Sequence, residues 1–168
     1  MVEIERKYLV RSDAWRGKVL ESEEIRQGYV PMSKGLLRIR ILGGRGFVTV
    51  KCSRVRISKR EFEYEVPKGD ADEMLDALCG GRAVSKTRHR LEFRGRKWEI
   101  DEYHGDNSGL VVAEIELSAE DEKFMKPPWL GKEVSRDDRY LNSSLFNNPY
   151  KNWTAQKTSQ ALPPRGEP

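Results

Sequence analysis

Cysteine and histidine are both scarce in this chain. Its 168 residues include only Cys52 and Cys79, and only His89 and His104. Neither cysteine stands in a CxxC pair and no histidine cluster accompanies them, which argues against a zinc site. The thiols read as those of a reduced, cytoplasmic protein. No apolar run approaches the ~18 residues that a membrane-spanning helix requires. The first residues carry charge at positions 3 and 5 to 7, which does not suit a signal peptide. A dominant sign of charge is also missing. The formal net charge is +4, well short of the one-sided excess of a simple basic nucleic-acid binder.

Charge itself is abundant, at 35% of the residues against 37% hydrophobic. Globular domains average about 25% charged. The length suits one domain with a real core. The expected domain spans residues 1–152, and the polar, proline-containing stretch 153–168 reads as a disordered tail.

Alternation of apolar and polar residues predicts strands at 2–10, 24–32, 35–42, 47–52, 59–67, 85–95, 96–105 and 109–118. A short helical turn capped by Ser12 is expected at 12–16. A helix is expected from Asp70 to Gly80, with Met74, Leu75 and Leu78 as its stripe. Ser118 with Asp121 reads as a cap for 119–125. Ser135 with Asp138 reads as the start of a last helix through Leu145, ended by Pro149. The fold class is therefore α+β. Short connections make the strands antiparallel, and a closed eight-stranded β-barrel would remove their edges.

The charges are patterned by type. Glu3, Glu5 and Lys7 share one strand face, as do Arg38 and Arg40, Lys51 with Thr49, and Glu61 with Glu63. Lys86 aligns with Arg88, Glu114 with Glu116, and Asp101 lies opposite Trp98 and Ile100. A half-exposed sheet explains any one of these strands by itself. Acids paired with acids and bases with bases, in nearly every strand, point further. Helices outside a barrel need apolar strand faces to pack on, which turns the charges inward. Inward charges need partners, because a lone buried ion costs several kcal/mol. Clustered carboxylates suit a hard divalent cation. Clustered Arg and Lys suit a compact polyanion. Together they point to a tunnel for a metal–polyphosphate complex. Phe62, Tyr64 and Trp98 fall on the opposite face, which suits packing rather than base stacking. His89 also alternates outward, a packing position.

The same residues resemble a known family. "EIERK" (3–7), "QGY" (27–29), "RIR" (38–40), "TVK" (49–51), "EFEYEVP" (61–67), "KTR" (86–88), "WEIDEY" (98–103), "GLVVAEIEL" (109–117) and "WLGKEVSRDDRY" (129–140) occur in the order of the CYTH superfamily, the triphosphate tunnel metalloenzymes. The set is most similar to the small bacterial tripolyphosphatase branch. That resemblance implies metal-dependent hydrolysis of inorganic tripolyphosphate to pyrophosphate and phosphate, with Mg²⁺ or Mn²⁺. It implies Glu3, Glu5, Asp101, Glu114 and Glu116 as metal carboxylates. Lys7, Arg38, Arg40, Lys51, Lys86 and Arg88 become triphosphate ligands, and Glu61 and Glu63 line the tunnel. Lys7, Tyr29 and Lys86 are its implied catalytic side chains, Lys7 with Tyr29 as an activating pair, and the last helix a plug. The expected partner is a triphosphate, with neither nucleic acid nor membrane, in a monomer or homodimer. Three rival readings stand beside it. One is an adenylate cyclase on the same scaffold, one a thiamine or nucleoside triphosphatase, and one a non-catalytic polyphosphate sensor.

Overall fold

The computed structural model describes residues 4–52 and 61–153. Glu3 and the tail from 154 lie outside the described residues. Nine strands form one antiparallel sheet: β1 (Ile4–Val10), β2 (Val19–Met32), β3 (Gly35–Leu42), β4 (Arg45–Cys52), β5 (Glu61–Val66), β6 (Val84–Phe93), β7 (Arg96–Tyr103), β8 (Val111–Leu117) and β9 (Leu130–Glu133). Two helices join them, α1 (Lys68–Cys79) and α2 (Asn142–Asn147). The hydrogen-bonded order is β5-β4-β3-β2-β6-β7-β8-β1-β9. All eight expected strands are present. The pairing that would close the barrel is not among the described ladders, which leave β5 and β9 as the two ends.

Register decides which side chains share a face. Lys7 pairs with Glu114 and Glu5 with Glu116. Arg88 pairs with Asp101, Glu99 with Glu114, Tyr29 with Arg38 and Thr49 with Glu63. One face of the sheet therefore carries the charged set. At its far end that face turns apolar, through Leu9, Val112, Tyr103, Val84 and Tyr29. Helix α2 adds buried Leu145 and Phe146 to this end, with the Phe146 ring 5.8 Å from that of Tyr29.

The opposite face is apolar, but helices cover only part of it. Ala71, Leu75 and Cys79 of α1 pack over β2, β3 and β4. Over β1, β7 and β8 the cover is connecting chain. Trp15 and Trp129 join Tyr8, Trp98, Ile100 and Ile115 in a second buried cluster. Trp98 meets Trp129 edge-on at 5.3 Å. Phe62 and Tyr64, expected to pack, are 46% and 62% exposed on the end strand β5. Nothing beyond β5 is there to cover them among the described residues. Leu78 of the expected helical stripe is also exposed, and Cys79 takes the buried position instead.

Other expectations fail for local reasons. The stretch 119–125 makes a turn, not a helix. Glu122, rather than Asp121, accepts the Ser118 amide at 2.6 Å and pairs with Arg96, while Phe124 is drawn onto Trp98. Ser135 does not cap a helix, because its hydroxyl accepts the Lys7 backbone N–H at 3.0 Å. The cap is Asp137, over a 3₁₀ turn at Asp138–Tyr140, and α2 follows separately. The turn expected at 12–16 is present, closed by the Arg16 N–H on the Asp13 carbonyl at 3.0 Å, and it runs on into a 3₁₀ turn at Arg16–Lys18. Strand β9 has no counterpart among the expected strands; four residues are too few for a periodic signal. Trp153, placed in the tail by composition, packs its ring 5.1 Å from both Tyr140 and Tyr150. Among the described residues no helix is long and apolar enough to cross a membrane.

The close seating of α1 depends on Gly28 and Gly46. A Cβ on Gly28 would stand 2.6 Å from the Cys79 sulfur and 2.8 Å from a Leu75 methyl, and one on Gly46 would stand 2.8 Å from the Ala71 Cβ. Gly28→Ala is expected to destabilise by about 1–3 kcal/mol, the usual range for overpacking. Gly17→Ala, with nothing within 4 Å, is the control. Urea denaturation of the two variants should separate them, and equal midpoints would show that α1 shifts freely.

Candidate active site

The charged face holds two ion-pair networks. The first spans β3, β4 and β5. Arg38 and Arg40 both donate to Glu63 Oε2, at 2.9 and 3.1 Å. Thr49 donates to the same oxygen at 2.7 Å. Lys51 pairs with Glu61 at 2.8 Å. Burial raises the Glu63 carboxyl, but the Thr49 hydroxyl and the two guanidinium groups overcome it, so Glu63 titrates below the usual range. The Arg40 guanidinium is lowered by burial and by its neighbour Arg38. Two like charges side by side are tolerated only where an anion neutralises them, and here one carboxylate serves both. The Nε atoms of Arg38 and Arg40 are buried and have no hydrogen-bond partner among the described residues. Buried N–H groups of this kind call for an acceptor.

The second network spans β1, β8, β7 and β6. Asp101 is fully buried. Arg88 grips both its oxygens, at 2.7 and 2.8 Å, and Lys86 pairs with it as well. Arg88 also reaches Glu114 at 3.0 Å and pairs with Glu99. Lys7 pairs with Glu114, and lies 3.6 Å from Glu5. Burial pushes Asp101 up, yet the two cations outweigh it and hold the carboxyl well below its ordinary value. Lys7 is raised, because Glu114 and Glu5 overcome its desolvation. From α2, Asn142 Oδ1 accepts from Tyr103 at 2.9 Å and from Lys86 at 3.4 Å, tying that helix to the site.

Each expected site residue that is described therefore lies on the charged face, with differences in role. Asp101 Oδ1 accepts from Arg88 Nε, and Oδ2 is shared by Arg88 and Lys86, so this carboxylate also organises the two bases. Glu5 and Glu116 are cross-strand neighbours, and both are exposed. Oxygen donors of this kind fit a hard divalent ion, with Glu114 next to them. Among the described residues no three acidic groups already converge as a metal cage. Lys7 and Tyr29 form no hydrogen bond with each other among the described residues. Lys7 serves Glu114, and the Tyr29 hydroxyl accepts from Gln27 at 2.9 Å.

Sequence reading missed Glu99, Gln27, Thr49, Asn142 and Tyr103 as members of the site. Glu99 and Gln27 carried a signal, each lying two residues from a chosen residue on the same face. Asn142 carried none, since only the folding back of α2 brings it to Lys86. His89 is outward as expected. It stacks 4.9 Å from Trp15 and bridges Ser22, at 2.8 Å, and Glu102, at 3.3 Å.

Removing the Asp101 charge would strand the buried Lys86 and leave Arg88 with Glu114 and Glu99 alone. Asp101→Asn should lose about 3–5 kcal/mol at neutral pH, the usual cost of breaking a buried pair. Because the folded-state carboxyl is depressed, its stabilisation is present above the unfolded value near ~3.9 and is lost as pH falls through the folded value. The gap between variant and wild type should thus narrow in acid. Urea titrations at neutral pH and in strong acid test this, and a gap that widens in acid would contradict it.

Comparison with known proteins gives a consistent result. The CYTH domain profile matches residues 1–147. A protein of Acetivibrio thermocellus named inorganic triphosphatase is 45% identical over 152 residues, 90% of this chain and 97% of that protein. One of Nitrosomonas europaea with the same name is 37% identical over 150 residues, 86% of this chain and 97% of that protein. The crystal structure of the inorganic triphosphatase NE1496 superposes with a TM-score of 0.70 at 33% identity, over 86% of this chain and 94% of that one. With this match over nearly the whole described chain, and the paired acids and bases in its register, the chain belongs to the CYTH domain family.

Proposed function

We propose that this chain hydrolyses inorganic tripolyphosphate to pyrophosphate and phosphate on its charged face, with Mg²⁺ or Mn²⁺ as the divalent ion the family implies. The two relatives named inorganic triphosphatase support that reaction class. The observation that carries it is the pair of buried Nε atoms on Arg38 and Arg40 that have no hydrogen-bond partner among the described residues. Their N–H groups want acceptors, and phosphate oxygens are acceptors of matching charge and geometry.

Arg38, Arg40 and Lys51 hold one side of the phosphate chain, and Lys7, Lys86 and Arg88 the other. Each offers N–H groups to phosphate oxygens, Lys86 and Arg88 while still held by Asp101. Glu61 and Glu63 keep the bases in place between turnovers. Glu5, Glu116 and Glu114 would hold the divalent ion, and Glu3 would join them. When bound, the ion neutralises phosphate charge and makes a water more acidic. A water oxygen bonds to a terminal phosphorus in line with the bridging oxygen, and the proton it loses passes to solvent water. The bridging P–O bond breaks, and its electron pair leaves with pyrophosphate. The bases hold the chain straight and stabilise charge that grows on the leaving oxygen. No side-chain nucleophile enters the scheme. A reducing cytoplasm is the compartment that suits the unpaired Cys52 and Cys79.

Phosphate release should be measured from tripolyphosphate, ATP and thiamine triphosphate, with Mg²⁺, with Mn²⁺ and with chelator. The expected result is metal-dependent release from tripolyphosphate and little from the others. Cyclic AMP and pyrophosphate from ATP would move the chain to cyclase chemistry. Tight binding without turnover would make it a sensor. Glu5→Gln should lose metal-dependent turnover at least ~100-fold while its melting temperature holds; full activity in that variant would remove Glu5 from the metal site.

A further inference from the structure

Strand β2 is where the two ion-pair networks meet. It pairs with β3 of the first network on one side and with β6 of the second on the other. Two of its residues on the charged face are buried and uncharged, Gln27 and Tyr29, 3% and 7% exposed. Tyr29 lies opposite Arg38 in register, and Gln27 opposite Arg40. Tyr29 also feels Arg38 and Arg40 from one network and Glu114 and Asp101 from the other.

The bond between them has a definite polarity. Gln27 Nε2 donates to the Tyr29 oxygen at 2.9 Å. An amide nitrogen can only donate, so the bond uses a phenolic lone pair and leaves the phenolic proton available. Burial keeps that phenol protonated at working pH. Among the described residues the Tyr29 hydroxyl has no acceptor, and Tyr29 is the one hydrogen-bond partner of the Gln27 side chain. A buried O–H without an acceptor is unfavourable. On a face built for polyanions, the acceptor such a hydroxyl awaits is a phosphate oxygen.

We propose that Gln27 is a positioning residue that fixes Tyr29 as a hydrogen-bond donor to a substrate phosphate oxygen where charge develops in the reaction. This rests on the triphosphatase reading above. Gln27 itself does not touch the substrate. It removes the alternative in which the phenol turns its proton to the amide carbonyl and presents a lone pair to the phosphate, which would repel it. No proton is transferred in this role. The Tyr29 hydroxyl keeps its proton and stabilises the growing negative charge.

A double-mutant cycle with tripolyphosphate and metal tests this. Gln27→Met keeps length and burial but removes the donor. It should lower kcat about fivefold to tenfold, as expected for one oriented hydrogen bond, with KM little changed. Tyr29→Phe should lower kcat at least as much. The double variant should match Tyr29→Phe, with no further loss, because Gln27 acts only through that hydroxyl. Equal losses from Gln27→Met in the wild-type and Tyr29→Phe backgrounds would overturn the proposal, as would no loss in either. If Gln27→Met is destabilised in a thermal melt, Gln27→Leu carries the same cycle, and the same results support or overturn the proposal. A wild-type chain without tripolyphosphate turnover overturns the substrate reading instead, so the two failures are distinct.

Discussion

A single buried carboxylate organises the inside of this molecule. Asp101 has no solvent contact, and it neutralises Lys86 and Arg88 at once. An isolated ion at that depth would be prohibitive. The carboxylate and its two cations are tolerable only as a unit, and the unit fixes where the neighbouring strands sit. Arg88, oriented by Asp101, reaches across to Glu114, which in turn receives Lys7 from β1. Strands β6, β7, β8 and β1 are thereby held in one register by charge as well as by backbone bonds. The same arrangement keeps Lys7, Lys86 and Arg88 together on the charged face, each paired with a carboxylate.

The apolar layer offsets the cost of such a polar interior. The Tyr8, Trp98, Trp129 and Ile115 cluster on one side and the α1 contacts on the other bury aromatic and aliphatic surface. That burial is the main favourable term in folding. The charged face adds specificity of register rather than net stability, in keeping with the small net gain of buried ion pairs. The proposed site thus lies on the face whose ion pairs add little net stability.

Much of this was legible in the sequence because strand periodicity is simple. Arg38 with Arg40, Glu61 with Glu63, and Lys86 with Arg88 announced one face by their spacing of two, and the structure keeps each on that face. The eight strands were legible for the same reason. What was hidden depends on tertiary contact. Phe62 and Tyr64 look like core residues by type, yet β5 ends the described sheet and leaves them uncovered. The stretch 119–125 has helical spacing, yet Glu122 is claimed by Arg96 and Phe124 by Trp98. Ser135 has the chemistry of a cap, but β1 takes its hydroxyl. The resemblance implies Asp101 as a metal carboxylate, and only the geometry reveals that it also grips Lys86 and Arg88. Asn142 belongs to the site through a fold-back that no local pattern encodes.

The charged face is the proposed seat of a metal–triphosphate complex, with Arg38 and Arg40 on phosphate and Glu5 and Glu116 on the ion. The most direct test is diffraction from crystals of a slow variant grown with tripolyphosphate and Mn²⁺, with anomalous data to locate the metal. Phosphate oxygens should lie within hydrogen-bond reach of the Arg38 and Arg40 Nε atoms, and an anomalous peak should stand beside Glu5 and Glu116. A triphosphate bound outside this face, or a metal peak away from those carboxylates, would contradict it.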